Sequence, residues 1–245
     1  MKEIALLSKT LSADYLTSFC WSCIIIYEIK NNEILIRLAY IKVFQMDKYE
    51  FTCFLMKKNH IEYSDIVDIG CRDRKLKEYL SDNINYFGID VSNESNCDEI
   101  IDISQKTRFL DRQFQLLIAL DVAEHTDNIY FAISEMLRIS KVCIIALPNM
   151  YKFGMRLRFV MGRTLCNKYA LSIKNALSDG YRHRWIFTPD EAISFMKQVA
   201  KNKNYDMTFY YYYAELRWPL NYLQYLLPAN LSAEALYFIL KPTNK

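Results

Sequence analysis

Short, mostly apolar runs alternate with amphipathic stretches along the chain from about residue 64 onward. The apolar runs cover residues 66–69, 86–90, 99–103, 114–120 and 142–147, with amphipathic stretches at about 73–80 and 128–139. Strands buried on both faces are near-continuous apolar runs, and their alternation with helices is typical of βαβ units in a parallel sheet. The pattern therefore predicts an α/β fold.

Another helix and two more strands are predicted further along the chain. Thr188 suits the N-cap of a helix over residues 189–201, and Pro189 suits its first turn. Residues 208–213 and 235–240 are typical of strands. Because no linker or repeat interrupts this part, residues 61–245 are predicted to form one domain, with substrate-side insertions at 150–187 and 214–232.

The first sixty residues have a less regular pattern. Apolar side chains in residues 1–18 lie near helical spacing, whereas residues 24–44 mix Ile and Leu with regular charges and fit either a strand or a helix. We predict a mostly helical N-terminal extension over residues 1–60.

Composition excludes several classes of protein. The chain has 245 residues, of which 52% are hydrophobic and 24% charged, which excludes intrinsic disorder. A formal net charge of +3 is too close to neutral for a nucleic-acid binder that relies on charge, so no nucleic-acid partner is predicted. The apolar stretch at residues 19–27 is too short to span a bilayer, and the N-terminus shows no signal-peptide pattern.

The cysteines indicate a reducing compartment. Seven cysteines are spread widely, and an odd number in a chain of this length favours buried thiols in the cytoplasm over a disulfide framework. Cys20 and Cys23 form a single CxxC pair with no second pair and no nearby histidine. We therefore predict no metal site.

Acidic residues follow four of the predicted strands. In open α/β sheets the ligand binds outside the carboxyl ends of the strands. Taken singly, each of these aspartates fits an ordinary turn or helix cap. However, Asp90 follows Gly70 by twenty residues, the spacing at which an acidic residue hydrogen-bonds to the hydroxyls of a ribose. This spacing predicts a nucleoside cofactor.

The loop after the first strand favours a cofactor without phosphate. A dinucleotide needs a glycine-rich loop around its pyrophosphate, but residues 70–75 contain only Gly70, and Asp73 would repel a phosphate. A cationic sulfonium cofactor fits an acid-rich rim better. A nicotinamide dinucleotide is kept as the alternative.

Four segments in order resemble the motifs of class I S-adenosylmethionine-dependent methyltransferases. They read IVDIGCRDRKLKEYL at 66–80, YFGIDVS at 86–92, FQLLIALDVAEHTDN at 114–128 and IIALPNMY at 144–151. The resemblance covers about residues 60–210 and is strongest to the small bacterial enzymes found with surface-polysaccharide and methionine-related genes. It implies a Rossmann-like sheet of seven strands in the order 3-2-1-4-5-7-6, with strand 7 antiparallel and helices on both faces.

The resemblance also implies a set of cofactor-binding residues. Asp68 and Gly70 would lie at the amino-acid end of the cofactor, Asp90 at the ribose hydroxyls, and Asp121 beside the methionine portion. The other implied residues are Ile89 and Val91 against the adenine, Asp102 and Ile103 at its edge, Leu120 beside Asp121, and Arg72 in the loop. One difference from the family is that Arg72 and Arg74 replace the later glycines of its loop.

Methyl transfer to a hydroxyl requires alignment and a base. The candidates are His183, Asp121 and His125, although His125 also fits a packing residue that caps a helix. Around His183, a cluster of arginines and a tryptophan suits recognition of a sugar or an oxyanion, and it equally fits a solvated loop with one anchoring Trp. The predicted substrate-binding residues are Arg182, Arg184, Trp185 and Asn149.

The sequence thus predicts a methyltransferase that moves a methyl group to a hydroxyl of a glycan or glycan precursor, in polysaccharide biosynthesis. Residues 151–163 and 216–227 fit a core, a homodimer interface or a peripheral contact at the inner face of the membrane. The alternatives are a non-catalytic methyltransferase-like scaffold protein, suggested by the glycine-poor loop, and a nicotinamide-dependent enzyme.

Overall fold

A computed structural model describes residues 22–30, 33–41, 46–93, 95–163, 182–213 and 227–243. Within these residues the chain forms one nine-stranded sheet with helices on both faces.

Five parallel strands form one half of the sheet. They are β3 (Asp65–Ile69), β4 (Asn85–Asp90), β5 (Glu99–Ile100), β6 (Phe114–Leu120) and β7 (Ser140–Pro148). Ile69 pairs with Ile89 of β4 on one side and with Ala119 of β6 on the other, which makes β3 the central strand. The carboxyl ends of β3, β4 and β6 therefore lie side by side at one edge of the sheet.

Two further strands continue the sheet beyond β7. β9 (Ala235–Pro242) pairs with β7, and β8 (Tyr205–Tyr212) pairs with β9; both pairings are antiparallel, so of these two strands only β9 runs opposite to the five parallel strands. Starting from β5, the order β5-β4-β3-β6-β7-β9-β8 is the methyltransferase order 3-2-1-4-5-7-6 with its seventh strand antiparallel. The predicted fold class is confirmed.

The N-terminal extension differs from the prediction in part. Strands β1 (Ser22–Lys30) and β2 (Glu33–Ile41) form an antiparallel hairpin, and β1 pairs with β8 to extend the sheet. The mostly helical prediction is wrong for these two segments, because β8 offers an unpaired edge that a strand can extend and a helix cannot. It holds for α1 (Lys48–Lys58), which begins with a capping box between Asp47 and Glu50. Residues 1–21 lie outside the described part of the chain.

The other α-helices in the described residues are α2 (Ile129–Ile139), α3 (Phe153–Val160), α4 (Pro189–Lys203) and α5 (Ala229–Ser232). Helix α4 begins as predicted, with Thr188 as N-cap, a capping box to Glu191 and Pro189 in the first turn. The helix predicted at 73–80 is instead a short 3₁₀ helix, Lys75–Tyr79, because the preceding Arg74 has a left-handed backbone with φ 59°. Such a residue interrupts an α-helix before it can start.

The core consists of two layers, one on each face of the sheet. Val67, Leu117 and Ile145 pack with α2 and α4 on one face, while the alternate residues Ile66 and Ile118 pack with α1 on the other. This alternation follows from the two-residue period of a strand. Helix α1 therefore completes the domain, although it belongs to the N-terminal extension by sequence.

None of the helices in the described part of the chain combines the length and apolar character required to span a bilayer. Of the predicted substrate-side insertions, residues 164–181 and 214–226 lie outside the described part.

Candidate functional site

A cavity of about 670 Å³ lies at the carboxyl ends of β3, β4 and β6, a volume suited to a nucleoside-sized ligand. Most of the residues predicted to bind a cofactor line this cavity: Asp68, Gly70, Arg72, Asp90, Val91, Asp102, Ile103, Leu120 and Asp121. The acidic side chains predicted to converge therefore share one cavity.

Asp68 is the most deeply buried acid of this cavity. The hydroxyl of Tyr86 donates a hydrogen bond of 2.6 Å to its Oδ2. Burial raises the pKa of Asp68 to about 7, because removal from water penalises the charged form, while the hydrogen bond from Tyr86 and the charge of Lys48 partly oppose that shift. Asp68 is thus poised to change its charge near neutral pH.

Asp90 is held in place by the backbone on both sides. Its Oδ2 accepts a hydrogen bond from the N–H of Arg72 (3.0 Å), and its Oδ1 accepts one from the N–H of Ser92 (2.9 Å). A carboxylate offers about four lone-pair positions, so each oxygen can still accept from a hydroxyl. Asp90 is therefore oriented in advance and retains the capacity to bind a diol.

Asp102 follows β5 and is fixed by a local turn. Its Oδ1 accepts hydrogen bonds from the N–H (2.8 Å) and the hydroxyl (2.6 Å) of Ser104. Asp102 and Ile103 both line the cavity, which gives this wall one polar and one apolar side chain, a combination that suits the edge and face of a base.

The loop after β3 approaches its neighbours closely. Gly70 has φ +71°, and a Cβ atom at this position would lie 2.5 Å from Cγ2 of Val122. Its N–H donates to the carbonyl of Ile89. Only glycine fits here, because any side chain would meet both the unfavourable backbone conformation and the clash.

Arg72 and Arg74 also adopt left-handed backbone conformations, with φ of 47° and 59°. Such conformations cost a residue with a side chain about 1–2 kcal/mol. Contacts of Arg74 offset part of this cost: its guanidinium pairs with Asp98 at 2.8 Å and lies 5.1 Å from the ring of Tyr86. Since Tyr86 also binds Asp68, the loop is tied to the acidic rim by side chains instead of additional glycines.

Lys48 is a residue of the cavity that the sequence analysis missed. It lies at the start of α1, lines the cavity, and its Nζ is 3.1 Å from Oδ2 of Asp121. Asp121 has φ 59°, so its carboxylate is presented from a constrained turn. No motif includes Lys48, and the signal that could have located it is the Asp47–Glu50 capping box of α1, which immediately flanks it.

One wall of the cavity is formed by two loop segments. His125 and Arg184 line it, and Arg184 is paired with Asp127. His183 is buried against His125, with ring centroids 4.6 Å apart. Trp185 donates from Nε1 to the carbonyl of Thr126 at 2.8 Å. These contacts join residues 123–127 to residues 182–185.

Some predicted residues lie elsewhere. Ile89 is fully buried in the core beneath the cavity and does not line it. Asn149 uses its amide on the backbone, donating to the carbonyls of Asn230 and Ala233 and accepting from Tyr151 N–H. Arg182 contacts this wall through its backbone: its carbonyl oxygen lies 3.0 Å from Nδ1 of His125.

The residues present fit a sulfonium nucleoside better than a dinucleotide. Six aspartates line the cavity against four Lys or Arg residues, and two of the aspartates, Asp68 and Asp90, are buried. In the loop that a pyrophosphate would need, Arg72 N–H is already bonded to Asp90. Carboxylates attract a cation and repel phosphate, so charge decides between the two ligands.

Comparisons with known proteins agree with this architecture. Residues 54–175 match the family described as "Methionine biosynthesis protein MetW". No curated protein matches the sequence.

Several solved structures share the fold at low sequence identity. A SAM dependent methyltransferase from Archaeoglobus fulgidus is 12% identical with a TM-score of 0.53, over 79% of this chain and 94% of that chain. The plantazolicin methyltransferase BamL, solved with a triazolic desmethylPZN analog and SAH, is 14% identical with a TM-score of 0.51, over 79% and 82%. The small RNA methyltransferase HEN1 is 14% identical with a TM-score of 0.52 over 87% of this chain, which spans only 28% of the HEN1 chain.

Sheet order, strand direction and structural neighbours agree with each other. The chain has the class I S-adenosylmethionine-dependent methyltransferase fold.

Proposed function

We propose that this protein transfers a methyl group from S-adenosylmethionine to a hydroxyl of a glycan or glycan precursor. The observation that carries the proposal is the convergence of Asp68, Asp90 and Asp102 on one cavity of suitable size. Nucleoside recognition and attraction of a positively charged methionine portion both follow from these three carboxylates.

Each acid has a separate part in binding. Asp90 would hold the ribose hydroxyls, Asp102 and Ile103 the adenine, and Asp68 with Gly70 the amino-acid end. When bound, S-adenosylmethionine supplies a methyl group on a positively charged sulfur, already activated for displacement. The protein's main task is therefore to align the acceptor oxygen with this methyl group.

His125 is the proposed catalytic residue. Because Nδ1 lies 3.0 Å from the carbonyl of Arg182, and a carbonyl can only accept, Nδ1 carries the proton and Nε2 carries the lone pair. That lone pair can take the proton of the acceptor hydroxyl as the oxygen–methyl bond forms. His183 packs edge-on against the His125 ring and would position it, and Asp121, paired with Lys48, is a further part of the cavity lining.

The proposed acceptor is a sugar or sugar phosphate because Arg184 lines the cavity, and guanidinium groups bind oxyanions. The ring of Trp185 packs against the core and supports this wall from behind. Structural neighbours are named for RNA and peptide-like acceptors, so these are the comparison substrates. The net charge of +3 argues against a nucleic acid.

Contact with the membrane surface is part of the proposal. Helix α3 exposes Phe153, Phe159 and Val160, and its sequence also carries Arg156 and Arg158. Exposed apolar and basic side chains on one short helix suit anionic headgroups. Such contact would place the protein at the inner face of the membrane, where lipid-linked glycan precursors are found; a homodimer stays a prediction.

Calorimetric titration tests the cofactor. We expect S-adenosylmethionine to bind at one site and NAD⁺ to give no heat. Absence of heat with S-adenosylmethionine at millimolar concentration would favour the scaffold alternative, and preferential binding of NAD⁺ would favour the nicotinamide-dependent alternative.

Mass spectrometry then tests the acceptor, with the protein, S-adenosylmethionine and either glycan precursors, RNA or peptides. Addition of one methyl group to the glycan alone supports the proposal. Methylation of RNA or peptide alone contradicts the glycan assignment.

A further inference from the structure

Glu124, His125 and His183 form a compact cluster at the edge of the cavity. One potential ligand atom from each residue can be chosen so that all three lie within 4.8 Å of one another. Glu124 is fully buried, His183 is nearly so, and His125 reaches the cavity. Two imidazoles and a carboxylate are the donor set of open, catalytic transition-metal sites.

The separation of two of these atoms suits a shared ion. His125 Nε2 and Glu124 Oε1 are 3.7 Å apart, which is too long for a hydrogen bond. Zinc binds imidazole nitrogen and carboxylate oxygen at about 2.0–2.2 Å. Two ligands at that distance from one ion lie about 3–4 Å apart, so this pair needs little movement.

The orientation of His125 supports the same interpretation. Its Nδ1 lies 3.0 Å from the carbonyl of Arg182, which leaves Nε2 as the ligand atom. Metal-binding histidines usually donate their second ring N–H to a carboxylate or a backbone carbonyl, which fixes the tautomer and the ring.

The backbone holds the two segments of the cluster together. The N–H groups of Arg184 and Trp185 both donate to the carbonyl of Glu124, at 2.8 and 3.1 Å, and the indole N–H of Trp185 donates to Thr126. Together with the contact between the Arg182 carbonyl and His125 Nδ1, these bonds lie on both sides of His183 in the chain and hold its segment beside Glu124 and His125. Ligands held by rigid neighbours bind an ion with little loss of entropy.

We propose that Glu124, His125 and His183 bind a divalent transition-metal ion, with Zn²⁺ as the reference ion. Three protein ligands leave a fourth position, and His125, which lines the cavity, places the cluster at its edge. The sequence pattern did not indicate this site, because His183 is distant from the Glu124–His125 pair along the chain.

A role for the ion rests on the proposed function. A bound metal lowers the pKa of a coordinated hydroxyl, so an acceptor hydroxyl at the fourth position would lose its proton to water before the methyl group is transferred. In that case His125 acts as a ligand instead of the base. Chelation separates the two roles: it abolishes transfer if the ion acts and leaves it unchanged if the free imidazole acts.

The test is calorimetric titration of ZnCl₂ into the chelator-treated full chain, with bound zinc counted after dialysis. We expect one ion per chain, and at least about tenfold weaker binding in His125→Ala and in Glu124→Gln. Thermal unfolding without metal identifies variants that fail to fold; if Glu124→Gln fails, His125→Ala decides, since that side chain is only partly buried.

Two control variants separate this site from other zinc ligands. His60 is exposed and lies outside the cluster, and Cys97 is a half-buried free thiol; His60→Ala and Cys97→Ser should both bind zinc as the native chain does. No binding to the native chain, or native-like binding by His125→Ala, overturns the proposal. Because S-adenosylmethionine binding is measured separately, failure of the metal site and failure of the proposed function give different results.

Discussion

The cavity has two halves that are built differently. The half proposed for the cofactor lies at adjacent strand ends, where Asp68, Asp90 and Asp102 are each hydrogen-bonded by neighbouring groups. The other half lies on loop segments 123–127 and 182–185, joined mainly through the carbonyls of Glu124 and Thr126. Parallel strands fix the first half, whereas the second depends on contacts between distant loops.

This difference predicts how substitutions will separate. Changes in the first half should alter cofactor binding, and changes in the second should alter catalysis while leaving the cofactor in place. A first-half substitution that alters only catalysis, or a second-half substitution that weakens cofactor binding, would contradict the assignment of the two halves.

Gly70→Ala should have the largest effect. The new Cβ would lie 2.5 Å from Val122 at a backbone φ of +71°, so we expect a loss of about 2–4 kcal/mol in the free energy of unfolding and more than about tenfold weaker S-adenosylmethionine binding. Denaturant unfolding and calorimetry measure the two effects.

Two glycines of the α3 region serve as controls. Gly162 has φ +68° without close neighbours, and Gly154 has neither strain nor neighbours. Gly162→Ala should therefore show only the backbone cost and Gly154→Ala almost none, with normal cofactor binding in both. Equal effects at all three positions would contradict a special role for Gly70.

Asp90→Ala should weaken S-adenosylmethionine binding by about 10- to 100-fold, because a site built to bond hydroxyls loses its acceptor. The hydrogen bonds from the N–H groups of Arg72 and Ser92 to the Asp90 carboxylate would also be lost. Calorimetry measures the affinity, and Asp82→Ala, an exposed acid outside the cavity, is the control. Unchanged affinity in Asp90→Ala would remove the ribose assignment.

Asp68 should make both stability and cofactor binding depend on pH. Burial raises its pKa from 3.8 to about 7, so between these values the folded chain holds a proton that the unfolded chain has lost. Its contribution to stability is therefore complete below about pH 4 and is lost as pH rises through about 7.

Binding of the cationic cofactor should follow the opposite trend. Ionised Asp68 attracts the positive charge of S-adenosylmethionine, so affinity should increase by several fold from pH 6 to pH 8. Calorimetry and thermal unfolding over this range, with Asp68→Asn as the comparison, measure both trends. If Asp68→Asn shows the same pH dependence as the native chain, a group other than Asp68 causes that dependence.

Lys48→Ala should weaken cofactor binding by only a few fold. Its ion pair with Asp121 is partly exposed on both sides, and such pairs contribute about 0–1 kcal/mol. The matched control is Lys57→Ala, an exposed lysine in the last turn of the same helix. A larger loss of affinity would give Lys48 a direct contact with the cofactor.

Arg184→Ala should have the smallest effect on the cofactor. Arg184 pairs with Asp127 at the partly exposed edge of the second half, so S-adenosylmethionine affinity should stay within about twofold while the KM for an oxyanion-bearing acceptor increases. Steady-state kinetics measures the KM. An unchanged KM would show that Arg184 does not bind the acceptor.

Sequence patterns predicted the first half because its geometry is a consequence of strand order. Once β3, β4 and β6 are placed side by side, Asp68, Asp90 and Asp121 must lie at one edge. The hairpin of β1 and β2 was missed because charges alternate with Ile and Leu in a pattern that also fits a helix. Lys48 and the contact between Glu124 and His183 depend on tertiary packing, which no local period reveals.

A structure with S-adenosylhomocysteine bound is the most direct measurement of the central claim. The account predicts ribose hydroxyls within hydrogen-bond distance of Asp90, the adenine beside Asp102 and Ile103, and the amino-acid end next to Asp68 and Gly70. Ligand bound elsewhere, or Asp90 turned away from the ribose, would contradict it.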